Sequence, residues 1–90
     1  MIRVAIFDDN ADSRDSLGML ISSTEGLELC GLFEDANHIL QQVASARPQV
    51  ILMDIGMPGV SGIDATAIVK GRYPEIQIII QTVFEDQDKI

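Results

Sequence analysis

Residues 50–62 read Val-Ile-Leu-Met-Asp-Ile-Gly-Met-Pro-Gly-Val-Ser-Gly, and the order of residue types in this stretch decides the fold. Val50–Met53 is a short, unbroken apolar run, as expected of a strand covered on both faces. Asp54 ends it, and Gly56, Pro58 and Gly59 break any regular continuation. Ser61-x-x-Asp64 then reads as a capping box opening a helix over 63–73, with Pro74 just past its end. A buried strand, a turn and a helix in succession form half of a parallel βαβ unit.

The same alternation extends outward in both directions. β-rich runs lie at residues 2–7, 27–33 and 76–82, and Ile78–Ile80 repeats the unbroken apolar character of Val50–Met53. Between them, Leu17, Leu20, Ile21 and Thr24 fall at i, i+3, i+4 and i+7, as do Ala36, Ile39, Leu40 and Val43. The first helix is expected to begin at Asn10 or Ala11, with Asp12 and Asp15 suiting the positive end of its dipole. Asp35 is the expected N-cap of the second helix, and Pro48 follows its end. Strands separated by helices cannot be hairpins, so they are expected to run parallel with right-handed crossovers. The class is α/β, a doubly wound parallel sheet. The chain stops within an apparent helix starting near Glu85, which suggests a domain continuing beyond this sequence or one completed by association.

Composition narrows the class of function. Ninety residues hold one domain, and 47% apolar content is too high for a disordered tail. Six basic against fourteen acidic residues leave a net charge of -8, so the surface is expected to repel both nucleic acid and an anionic membrane. No apolar run approaches the ~20 residues of a spanning helix, and no signal peptide opens the chain. The single Cys30 precludes an internal disulfide and fits a reducing, cytoplasmic location. His38, beside the apolar stripe of the second helix, reads as a solvated surface histidine, and Cys30 as a small hydrophobe in a strand.

In open α/β sheets, ligands bind beyond the carboxyl ends of the strands. Those ends carry Asp8 and Asp9 after the first strand, Asp54 after the third and Thr82 after the fourth. If the first strand neighbours the third, the three carboxylates converge, and their mutual repulsion needs either a proton or a hard cation. Mg²⁺ suits such oxygen donors. A carboxylate can also be a nucleophile that forms an acyl phosphate. The plainer reading is that Asp8 or Asp9 only caps the first helix.

Taken together, these residues resemble the receiver domain of bacterial two-component response regulators. The resemblance rests on the acidic pair Asp8-Asp9, on Asp54, on Met57-Pro58 and Gly62 in the following loop, and on Thr82 closing the fourth strand. It implies a flavodoxin-like sheet of strand order 2-1-3-4, over residues 1–90, lacking the family's final strand and helix. It implies Asp54 as the phosphoacceptor, served by a sensor histidine kinase. Mg²⁺ would be held by Asp8, Asp9, Asp54 and the carbonyl of Gly56, with Thr82 contacting the phosphoryl group. The wording around residues 53–62 and 82–86 is nearest to regulators with a helix-turn-helix DNA-binding output. The family's phosphate-binding lysine has no counterpart here, and Val83 is bulkier than the small residue often found after the hydroxyl position. The implied function is a phosphorylation-controlled relay rather than an enzyme. The alternative is a receiver scaffold that only associates, as a homo-oligomer, through its fourth strand and first helix. An aspartyl-phosphate hydrolase would need a substrate cap for which the chain has no material.

Overall fold

The computed structural model describes residues 1–81, so the expectations placed on Thr82, Val83 and the helix from Glu85 lie outside the described residues. Four strands, β1 (Ile2–Phe7), β2 (Leu27–Phe33), β3 (Val50–Asp54) and β4 (Gln77–Gln81), alternate with α1 (Ala11–Ser22), α2 (Ile39–Ala46) and α3 (Gly62–Arg72). The strands form one parallel sheet of order β2-β1-β3-β4, as expected. Both β2 and β4 are edge strands among the described residues.

Side chains alternate across this sheet into two apolar layers. Ala5, Phe7, Ile51 and Met53 meet Ile39 and Val43 of α2 and Ala65 and Val69 of α3. On the opposite face Val4 and Ile6 meet Ile21 of α1, with Leu17, Leu29 and Leu52 packed around them. The β1–β2 register shifts between Val4 and Ala5, which pair with Leu29 and Gly31, so Cys30 is the bulged residue. Beyond the bulge Phe33 stacks on Phe7 with ring centroids 4.8 Å apart.

Local signals set the first and third helices. The Asn10 side chain accepts from the Ser13 amide, and the Ser61 hydroxyl accepts from the Asp64 amide, so each helix starts on a side-chain cap. Lys70 closes α3 by donating to the carbonyls of Pro74 and Ile76, at 2.9 and 2.8 Å. The second helix departs from expectation. It begins at Ile39 with His38 as N-cap, three residues later than an Asp35 cap requires. Asp35 instead accepts from the Asn37 amide in a local turn, and the Asn37 side chain is drawn to the amide of Val60. At its far end α2 stops in a left-handed residue, Arg47 at φ 53°. The Arg3 guanidinium donates there to the carbonyls of Ala46 and Arg47, placing a cation at the negative end of the helix.

Two burial expectations are corrected. Leu20 and Leu40 are exposed, and Thr24 lies beyond the end of α1; the buried face of that helix runs through Leu17, Gly18 and Ile21. The unbroken run Ile78–Ile80 is not covered on both faces: Ile79 is 52% exposed and Ile80 is at the edge of exposure. As an edge strand among the described residues, β4 has no flanking strand to bring a helix over it. Ile76, just before β4, is buried in the core.

Candidate functional site

The sheet order puts the carboxyl ends of β1 and β3 side by side, with Phe7 opposite Met53 in register. The next residue along each strand is an aspartate. One carboxylate oxygen each from Asp8, Asp9 and Asp54 lies within 4.8 Å of the others. The expected convergence of these three residues is therefore present.

Their surroundings differ. Asp8 is buried, Asp54 half-buried and Asp9 exposed. A buried carboxylate must have its oxygens satisfied, and both of those on Asp8 are. Oδ1 accepts from the Asn10 amide at 2.9 Å, and Oδ2 accepts from the Ser13 hydroxyl at 2.7 Å. The Asp8 carbonyl accepts from the Arg14 guanidinium at 2.8 Å. Asp54 has a lighter hold, with Oδ1 accepting from the Gly56 amide at 3.2 Å. Its backbone is fixed more firmly, because α3 starts against it. Gly62 donates to the Ile55 carbonyl at 3.0 Å. A Cβ at Gly62 would press into the Asp54 carbonyl oxygen and stand 2.8 Å from the Asp54 carbonyl carbon and the Ile55 Cα. Only glycine lets the helix start this close to the strand end.

The loop between them is pinned from α2's side. Gly59 has φ 78°, and Asn37 accepts from the Val60 amide at 3.2 Å while its side chain fills the space a Cβ on Gly59 would take. Asp9, Glu34 and Asp35 line a cleft of about 310 Å³ beside this loop, together with Asn37, Pro58 and Gly59.

The electrostatics are those of crowded like charges. Burial raises the pKa of Asp54 from its ordinary value, and the neighbouring carboxylates of Asp9 and Asp8 raise it further. The Gly56 amide opposes this by favouring the carboxylate form. Among the described residues the one ion pair is Arg3–Glu28, at the opposite end of β1, so none reaches the three acids. A set of hard, anionic oxygen donors whose carboxylates have no ion-pair partner among the described residues suits a divalent ion such as Mg²⁺. The donor chemistry therefore fits the expected metal.

Comparison with known proteins places the fold. Residues 4–90 match the family described as the response regulator receiver domain. The chain belongs to that family. The response regulator GacA of Pseudomonas protegens is 33% identical over 86 residues, which cover 96% of this chain and 40% of GacA. A protein-glutamate methylesterase/protein-glutamine glutaminase of Pyrococcus horikoshii is 34% identical over 85 residues, covering 94% of this chain and 23% of that protein. The crystal structure of the response regulator domain of Thermotoga maritima CheB superposes with a TM-score of 0.84 at 30% identity, over 91% of this chain and 60% of the other. This receiver thus spans less than half the length of both curated relatives. Its sheet order and helices match the fold of the CheB domain. As a member of the family it is homologous to phosphoacceptor signalling domains of two-component response regulators, transcription regulators among them.

Sequence reasoning missed Ser13, Arg14 and Asn37. A signal for the first two existed. The buried stripe of α1, continued toward its amino end from Leu17, lands at i−4 and i−3 on Ser13 and Arg14. Asn37 had no such signal, since its partner lies 23 residues away. His38 is exposed, as expected, at the N-cap of α2 rather than within the helix. Cys30 is half-buried, and burial raises its thiol pKa, with the charge of Arg3 opposing. No helix among the described residues is long and apolar enough to cross a membrane.

Proposed function

We propose that this receiver is a phosphorylation-controlled switch in the cytoplasm, with Asp54 accepting a phosphoryl group from the histidine of a sensor kinase. The observation that carries the proposal is the approach of Asp8, Asp9 and Asp54 to within 4.8 Å at the carboxyl ends of adjacent strands. In this reading an Asp54 oxygen attacks phosphorus, the phosphorus–nitrogen bond to the kinase histidine breaks, and the acyl phosphate remains on β3. Asp8, Asp9, Asp54 and the carbonyl of Gly56 would hold Mg²⁺. When bound, that ion supplies the positive charge that offsets the carboxylates and the incoming phosphoryl group. Asp8 is held ready by Asn10 and Ser13. Gly56 orients Asp54 through its amide. Thr82, named from the family resemblance, contacts the phosphoryl oxygens. The domain relays a signal rather than turning over a substrate. The acyl phosphate favours one of two conformations, and the response is passed to an output, transcriptional in the full-length protein.

Self-association is a second reading, favoured by exposed Met19 and Leu20 on α1 and Ile79 on β4, at 73%, 59% and 52% exposure. Nucleic acid is not a partner of this acidic segment, with its net charge of -8. One experiment addresses both readings: native mass spectrometry after incubation with acetyl phosphate and Mg²⁺, with Asp54→Asn alongside. A gain of one phosphoryl mass, absent from the variant, supports the switch. A folded oligomer that takes up no phosphoryl group supports association alone.

A further inference from the structure

Asp8 is 4% exposed, the one buried charged side chain among the described residues. A carboxylate has about four lone-pair sites. The Asn10 amide occupies one on Oδ1 and the Ser13 hydroxyl one on Oδ2, leaving one on each oxygen. The two contacts have different consequences. The Asn10 amide is two residues away and belongs to the turn that leads into α1, so it accompanies Asp8 wherever that turn goes. Ser13 is inside α1, one turn before Leu17, which packs against the Val4–Ile6–Ile21 layer. Its hydroxyl therefore ties the Asp8 carboxylate to a docked helix.

At 2.7 Å the Ser13 hydroxyl stands at the ordinary distance of an O–H···O hydrogen bond from Asp8 Oδ2. With both oxygens held, the plane of the carboxylate is fixed, whereas a single contact leaves it free to pivot about the bonded oxygen. Serine has one hydroxyl proton, and this geometry commits it to Asp8.

We propose that Ser13 is a positioning residue for the cation, acting through Asp8. This rests on the reading of Asp8, Asp9 and Asp54 as a divalent-cation site. Ser13 keeps one oxygen of Asp8 presented to the crevice before any ion arrives, so binding does not have to order that side chain. Partners of this kind behind a ligating group typically change metal affinity by about 10–100-fold when removed. The plainer alternative is that Ser13 only satisfies a buried oxygen. In that case its removal lowers stability and leaves cation affinity unchanged.

Isothermal titration calorimetry of the 90-residue chain with magnesium chloride separates these. Wild type, Ser13→Ala, Ser13→Thr and Asp8→Asn are compared, and each is checked for native secondary structure by circular dichroism. The expected result is a Kd for Mg²⁺ about tenfold weaker in Ser13→Ala, restored by Ser13→Thr, with binding lost in Asp8→Asn. An unchanged Kd in Ser13→Ala beside lost binding in Asp8→Asn overturns the role of Ser13 and leaves the cation site standing. A loss that threonine does not restore assigns the effect to packing rather than to the hydroxyl, and also overturns it. Absence of Mg²⁺ binding to wild type, or undiminished binding to Asp8→Asn, overturns the site reading and the role of Ser13 with it.

Discussion

Replacing Asp54 with Asn removes one negative charge from the crevice and keeps an oxygen where the Gly56 amide donates at 3.2 Å. Shape and hydrogen bonding are thus nearly conserved, and the difference is electrostatic. Two neighbouring carboxylates lie within 4.8 Å. Two unit charges 4 Å apart repel by about 1 kcal/mol in bulk water and about 4 kcal/mol at an effective dielectric constant near 20. Asp54 is only half-buried, so the aqueous figure is the nearer one. Two neighbours at roughly 0.5–1 kcal/mol each make Asp54→Asn more stable than wild type by about 1–2 kcal/mol at pH 7 without Mg²⁺.

The pH dependence has a definite sign. The pKa of Asp54 in the folded chain is raised, so in the window between its unfolded and folded values the folded state binds more protons. Wild-type stability therefore falls as pH rises through that window and stays lower above it. Below the window Asp54 is neutral like asparagine, and the advantage of the variant disappears. Mg²⁺ acts in the opposite sense, stabilising wild type more than the variant and closing the gap from the other side. Urea unfolding at low ionic strength, followed by circular dichroism, reads all of this. With a slope of about 1–2 kcal/mol/M, the midpoint shifts by roughly 1 M at pH 7. A variant no more stable than wild type at pH 7, or an advantage that persists unchanged when Asp54 is protonated, refutes the account of crowded charges.

Two further outcomes follow from packing and capping. Gly62→Ala places a methyl group against the Asp54 and Ile55 backbone, which cannot rotate away, so thermal unfolding should show a loss of about 2–3 kcal/mol. Backbone amide shifts in an NMR spectrum should spread to Asp54 and Gly56. Asn10→Ala deletes the α1 cap that accepts from the Ser13 amide at 2.8 Å. Its cost by denaturant unfolding should be about 1 kcal/mol, and a change below a few tenths would mean water replaces the cap without loss.

The sequence alone determined what one turn of chain can encode. The order of strands and helices, the start of the first helix at Asn10 or Ala11, the capping box at Ser61, and the stop signals at Pro48 and Pro74 are local, and the structure follows each of them. The acids at the strand ends were legible for the same reason, since the end of an apolar run tells where a strand stops. Their meeting was not a local property. Asp8 and Asp54 are 46 positions apart, and only the pairing of β1 with β3, rather than of neighbours in sequence, sets them side by side. Tertiary contacts also overrode local preference. Asn37 is engaged by the loop at Val60, so α2 starts at Ile39 although Asp35 is a sound cap. A similar unbroken apolar run is buried or half-buried in β3 and largely exposed in β4, because burial depends on what lies beside a strand. Ser13 shows both sides at once: its place on the inner stripe of α1 was readable from Leu17, but its use required the docking of that helix beside a carboxylate the sheet had already buried.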